Sequence, residues 1–159
     1  MFAGEAEGLR AMHGTGTLRA PAVYHFGGMA DPPNGSFIVM EHLELGGRPD
    51  MGALGRRLGA MHLAEPAHAE ARGGKFGFVV DNTIGGTPQH NPWTADWVEF
   101  FGTHRLMFQA NRTRDPEIIE LAKKVRRAMP GFFAGVDVRP ALLHGDLWSG
   151  NVSGWAGGG

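Results

Sequence analysis

Three polar residues near the end of the chain, His144, Asp146 and Asn151, are spaced for chemistry, with Gly145 and Trp148 set among them. A carboxylate can accept the proton of an attacking hydroxyl group. An amide oxygen five positions on, folded back by a turn, can ligate a hard divalent cation. The same residues also admit a plainer reading, because Gly and Asp are common in turns for purely local reasons. His144, Asp146, Leu147 and Asn151 together at fixed offsets favour chemistry over the turn. Val138, Ala141, Leu142 and Leu143 ahead of them read as a buried strand that delivers the loop.

The elements that must position this loop follow from apolar spacing. Phe2, Ala6, Leu9 and Met12 fall at helical intervals, with Gly14 and Gly16 as stops. Glu5 lies at the edge of that face, where an acid is favoured by the helix dipole. Residues 22–26 and 37–43 read as strands around the turn signal Asp31, Pro32, Pro33, Asn34, Gly35, which predicts a hairpin or neighbouring strands. Asp50 can cap a helix with Leu54, Leu58 and Met61 on one stripe, ending before Pro66. Gly52, Gly55 and Gly59 weaken that helix and predict close packing against another element. Residues 64–74 read as a linker or exposed loop. Lys75 to Val80 returns to aromatic and β-branched residues, and residues 81–88 form a long loop. Asn91 and Pro92 predict a cap and first helical residue for a segment with Trp93, Trp97, Phe100, Phe101, His104 and Phe108, mostly core. Asp115 and Pro116 repeat the device. Ile118, Leu121 and Val125 are the expected buried face of that last helix, Lys123, Lys124, Arg126 and Arg127 its solvated basic end, and Pro130 and Gly131 its stop.

Composition narrows the function classes. A chain of 159 residues can form one modest domain that buries roughly 70% of its unfolded surface. A net charge of -1 recommends neither nucleic acid nor an anionic membrane as partner. The absence of cysteine excludes disulfides, thiol chemistry and Cys-ligated zinc, and fits a reducing compartment. No apolar run approaches a bilayer span, and Met1 does not open a signal-type apolar region, so a soluble cytoplasmic protein is the expectation. The eight histidines show no recognised metal-ligand spacing. No internal repeat or heptad is visible.

The loop from His144 to Asn151 matches the catalytic loop of the protein-kinase fold, H-x-D-L-x-x-x-N, with Gly145 where protein kinases usually have Arg. The whole chain from Phe2 to about Val152 resembles the fructosamine-3-kinase (ketosamine-3-kinase) family, a branch of that fold near the aminoglycoside phosphotransferases and choline kinases. The resemblance runs through Phe2 to Glu5, Val39 to Leu43, Lys75 to Phe78, Asp81 to Gly85, Thr87 to Gln89, Asp96 to Phe101, His104 to Leu106 and Leu142 to Asn151. The most specific part is Trp148, Ser149 and Gly150, which separates this family from relatives sharing only the flanking His, Gly, Asp and Asn.

The resemblance implies an α+β, two-lobed, protein-kinase-like fold, present in part. Residues 1–45 would be the remainder of the small lobe and hinge, and residues 46–152 a partial, mainly helical large lobe ending at the catalytic loop. Residues 153–159 form a tail unlike the family's continuation. It implies ATP-dependent, magnesium-assisted phosphorylation of a sugar hydroxyl of ketosamines, free or on glycated proteins, as in protein deglycation. Asp146 would be the general base, Asn151 a magnesium ligand, and Trp148 a face for the sugar, with His144 beside it in the catalytic turn. Glu41, His42 and Leu43 would hold adenine, mainly by backbone groups. Glu5 would pair with the phosphate-binding lysine. That lysine and the nucleotide-covering loop would lie before Met1, and the second magnesium-binding Asp after Asn151, so the 159 residues alone are expected to be inactive. An organellar compartment is the alternative if a transit peptide precedes Met1. The other readings are a different aminoglycoside- or choline-kinase-like transferase and a remnant acting only by binding.

Overall fold

The computed structural model describes residues 2–31 and 35–154. The chain divides into two compact units, one of residues 1–67 and 141–159 and one of residues 68–140. The first opens with α1 (Phe2–Gly14), which buries Ala6 and Leu9 on the face read from the sequence. α1 packs on β1 (Val23–Gly28), and Arg10 lies over the Phe26 ring at 5.2 Å. β1 pairs antiparallel with β2 (Ser36–Met40), bringing Phe26 opposite Ile38 and Gly28 opposite Ser36, with an irregularity between Val23 and His25. The predicted hairpin is therefore formed, although Pro32, Pro33 and Asn34 of its turn lie outside the described residues. β2 ends at Met40, so Glu41, His42 and Leu43 are an extended connection rather than strand.

α2 (Met51–Leu63) begins where Asp50 predicts: its carboxylate accepts from the backbone N–H of Gly52 at 2.8 Å and of Ala53 at 3.1 Å. Met61 is fully buried and Leu54 and Leu58 are half-buried, so the stripe is correct. Its glycines do not mark close packing. Nothing among the described residues approaches Gly55 or Gly59, and Gly52 meets only the side chains of Asp50 and Arg56.

The second unit departs further from sequence expectation. Residues 69–72, read as loop, form the single helical turn α3 (Ala69–Arg72). The long loop holds a second antiparallel hairpin, β3 (Asn82–Ile84) with β4 (Thr87–Gln89), closed by Gly85 and Gly86. Gly85 has φ +56°, which glycine adopts without steric cost. Asn91 does not cap the aromatic helix. That helix starts six residues later as α4 (Trp97–Phe101), where the Asp96 carboxylate accepts from the N–H of Glu99 at 2.7 Å. It continues through a π-helical segment (Gly102–Met107) into α5 (Phe108–Thr113).

α6 (Pro116–Phe132) is capped by Asp115 as expected and runs past Pro130, whose missing N–H shortens the helix less than the sequence suggests. Its buried face is not Ile118, Leu121 and Val125, which are 44%, 52% and 46% exposed; Ala122 and Met129 are buried instead. A polar strap sets the rotation. The stem of Arg126 crosses Gly102, and its guanidinium donates to Glu99 at 3.0 Å and to the Thr103 hydroxyl at 2.9 Å. Lys123 pairs with Glu120 at 2.7 Å, so the basic residues are mid-helix and partly paired rather than a solvated end.

Candidate active site

No strand carries the chain into the 144–151 loop. Residues 136–144 lack regular structure, and Leu143 is 62% exposed. A buried strand needs neighbours for its N–H and C=O groups, and among the described residues none pairs with this segment.

The loop is nevertheless organised by its own hydrogen bonds. Gly145 has φ +84°, a region in which a side chain would be strained. The turn that follows lets the Asp146 N–H donate to His144 Nδ1 at 3.3 Å. Asn151 closes the loop: its backbone N–H donates to the Trp148 carbonyl at 2.9 Å. Its side-chain nitrogen donates to Asp146 Oδ2 at 2.8 Å and to the Asp146 carbonyl at 2.9 Å. Both partners are acceptors, which fixes the amide orientation and leaves Asn151 Oδ1 without a donor among the described residues. Asp146 keeps Oδ1 without a donor among the described residues, and both side chains are exposed. The arrangement offers a proton acceptor and a hard oxygen side by side.

That donor set fits magnesium in part. Magnesium takes one or two protein oxygens and completes its shell with water and phosphate oxygens. Among the described residues no group of three or more His, Cys, Asp or Glu side chains could hold a metal without such help.

Trp148 is 60% exposed, its indole lying across the backbone of Gly150. A Cβ on Gly150 would run into the ring, so glycine at this position lets Trp148 lie flat. After the loop, the chain is pinned to the segment following Leu43. The Gly46 N–H donates to the Gly154 carbonyl at 3.1 Å, and a Cβ on Gly154 would come within 2.8 Å of the Arg48 carbonyl.

Of the expected nucleotide residues, Glu41 has its side chain committed to structure. Its carboxylate accepts from Arg19 and from the Ala22 N–H, and these bonds, Arg19 first, hold it below the usual carboxylate range. Its backbone N–H donates to the Ala22 carbonyl at 2.8 Å, so of Glu41 only the backbone carbonyl remains for a ligand. His42 is exposed and Leu43 half-buried in the same connection. Glu5 is exposed in the first turn of α1, with no ion-pair partner among the described residues.

The second unit holds a polar cluster that sequence reasoning missed. Asn91 is 4% exposed. Its side chain donates to the Val80 carbonyl and to Asn82, each at 3.0 Å, and accepts from Arg105 at 2.5 Å. Arg105 also donates to the His90 carbonyl at 2.8 Å and covers the Phe100 ring at 4.6 Å; burial lowers its pKa. Asp81 accepts from the Asn91 N–H at 2.8 Å and pairs with His90 at 2.8 Å, which lowers its pKa. The signal was present in the polar pairs Asp81, Asn82 and His90, Asn91, set on either side of Gly85 and Gly86. Gly77 belongs to this assembly, for a Cβ there would meet the Asn91 and Pro92 carbonyls at 2.9 and 2.8 Å.

Known proteins share this architecture. A crystal structure assigned as a fructosamine-3-kinase from Haemophilus somnus 129PT superposes with a TM-score of 0.79 at 22% identity, over 98% of this chain and 51% of that one. One from Thermobifida fusca YX-ER1 gives 0.74 at 29% identity, over 96% and 50%. The fold is thus α+β and protein-kinase-like, present in part. Among curated proteins, the chloroplastic protein-ribulosamine 3-kinase of Oryza sativa subsp. indica is 49% identical over 158 residues, 96% of this chain and 44% of that protein. The ketosamine-3-kinase of Mus musculus is 34% identical, over 96% and 56%. The chain spans about half the length of the curated relatives it matches. A family model described as fructosamine kinase matches residues 1–158, and with nearly every residue inside that match, the chain belongs to the fructosamine kinase family.

Proposed function

We propose that the 144–151 loop serves ATP-dependent phosphorylation of a sugar hydroxyl of a ketosamine, free or on a glycated protein, in a protein of family length. The carrying observation is the bond between Asn151 Nδ2 and Asp146 Oδ2, which sets a carboxylate and a free amide oxygen together. Asp146 Oδ1 takes the proton of the sugar hydroxyl as the hydroxyl oxygen bonds the γ-phosphorus; the bridging P–O bond to the β-phosphate breaks, and ADP leaves with the electron pair. Asn151 Oδ1 would help to hold a magnesium ion, which when bound would supply charge neutralisation to the transferring phosphoryl group. His144 holds the backbone of Asp146 in place, and Trp148 offers its exposed face to the sugar. Glu41, His42 and Leu43 contribute backbone groups to adenine. Glu5 stands ready for a lysine that orients phosphate.

The lobes in this reading are residues 1–45 and 46–152. Repair of glycated protein is the proposed role, supported by relatives named for ribulosamine and ketosamine substrates. The rice and Arabidopsis relatives are named chloroplastic, which favours the organellar alternative over the cytoplasm. No described helix is long and apolar enough to cross a membrane. The test is transfer of labelled γ-phosphate to a fructosamine and to an aminoglycoside or choline, by a family-length protein carrying these residues. Transfer to the fructosamine that Asp146→Asn abolishes supports the reading. Preference for choline or an aminoglycoside would replace it, and nucleotide or substrate binding without turnover would favour the remnant.

A further inference from the structure

The second unit holds a cleft of about 490 Å³ whose residues the proposed reaction does not use. Phe78, Val80 and Trp93 line it with apolar surface, and Asp81, His90 and His104 with polar groups. His68 joins the two aromatic residues, its ring 5.6 Å from Phe78 and 6.0 Å from Trp93. Asn91, also in the lining, is locked onto Val80, Asn82 and Arg105, so the frame is built before any ligand arrives. His104 belongs to the π-helical segment, a rare kind of turn that is frequent at functional sites.

The remaining hydrogen-bond capacity decides what could bind. Donors on this cluster are spent. Arg105 Nη1 and Nη2 are committed to the His90 and His104 carbonyls and to Asn91 Oδ1, and the Asn91 amide nitrogen to the Val80 carbonyl and Asn82. Acceptors remain. Asp81 is exposed, and its two oxygens take one bond each, from the Asn91 N–H and from His90 Nδ1. Those bonds, the Asn91 N–H first, hold Asp81 below the usual carboxylate range, so it is charged at neutral pH. An ionised carboxylate only accepts, so His90 Nδ1 bears a proton and Nε2 of the neutral ring is a further acceptor. The His104 ring packs on Phe100 and makes no hydrogen bond among the described residues. Acceptors beside aromatic and aliphatic surface suit a donor-only cation on an apolar stem, which can lay its methylenes on the rings and turn its charge to the carboxylate. A carboxylate or phosphate would meet Asp81 with no uncommitted donor to offset the repulsion. We propose that this cleft binds the cationic side chain of a polypeptide, a lysine or an arginine, carried by the same glycated protein as the ketosamine. The identity of that polypeptide rests on the proposed function, whereas the preference for an alkyl cation rests on the cleft alone.

The test uses a family-length protein carrying these residues, without nucleotide. Blocked glycine tripeptides centred on lysine, norleucine or glutamate are titrated while the indole N–H resonance of Trp93, assigned with Trp93→Phe, is followed by NMR. The lysine peptide should shift the resonance saturably, and the other two should need at least about ten times the concentration. Asp81→Asn should weaken the lysine peptide by about ten-fold, whereas Asp137→Asn, which removes an equal charge from an exposed position, should not. Comparing the three peptides requires no variant, so a misfolded Asp81→Asn protein leaves that result standing. Equal binding of the lysine and norleucine peptides would make the cleft a plain apolar groove, and preference for glutamate would reverse its charge. An equal shift by sorbitol would make it a polyol site. Each of these results overturns the inference, as does the absence of any shift or indifference to Asp81→Asn in a folded variant. No turnover is read, so the outcome is independent of whether a ketosamine is phosphorylated.

Discussion

At the residue scale, Asp146 and Asn151 touch each other, and the proposed reaction gives them separable tasks. Asp146→Asn preserves the size of the side chain but removes the proton acceptor, so in a family-length protein turnover should fall by about 10²–10⁴-fold while nucleotide binding persists. Asn151→Ala should instead raise the magnesium concentration needed for half-maximal rate, read by titrating the metal at fixed ATP. Gly150 gives a third handle. A methyl group there displaces the Trp148 indole, so Gly150→Ala and Trp148→Ala should both raise KM for the sugar substrate with little change in KM for ATP. Equal losses for both substrates would make Trp148 a packing residue only.

At the element scale, the β3–β4 hairpin and the α4–α5 helix are joined through one buried amide. Asn91→Ala strips partners from the Val80 carbonyl, Asn82 and Arg105 at once. It should therefore cost about 2–4 kcal/mol in urea unfolding, whereas Thr94→Ala, which loses a single exposed bond to the Pro92 carbonyl, should cost well under half of that. In the first unit, Glu41 ties the β1–β2 region together through Arg19 and the Ala22 N–H. Its folded pKa is depressed, so its stabilisation is present above the unfolded carboxylate value of about 4.3 and is lost as pH falls through the lower folded value. Glu41→Gln should accordingly lower the melting temperature at pH 7 and converge with the parent protein in strong acid. Parallel melting curves at every pH would show that the pair contributes nothing.

At the scale of the whole molecule, β1 and β2 pair with no third strand among the described residues, and Tyr24, Val39 and Met40 on them are exposed. Two-stranded sheets are marginal in water, and open edges invite pairing with other chains. The 159 residues by themselves should melt at low temperature with aggregation. A sharp, reversible transition at high temperature, followed by calorimetry and light scattering, would contradict this.

What sequence alone determined here is what depends on a few neighbouring residues. Asp50 and Asp115 set helix starts because a carboxylate needs only the next two or three N–H groups to act as a cap. The 144–151 loop was legible because its offsets are read within eight residues, and the same offsets close its hydrogen bonds. The β1–β2 hairpin followed from two apolar runs around one turn. Where the competing choices were locally similar, tertiary contacts decided. Asn91 and Asp96 are both good caps; Asn91 was drawn instead into the Arg105 network, leaving the helix to Asp96. The rotation of α6 turned on Arg126 meeting Glu99 and Thr103, residues 27 and 23 positions away. Apolar periodicity says that a face seeks burial, and only the rest of the fold says which neighbour is there to bury it.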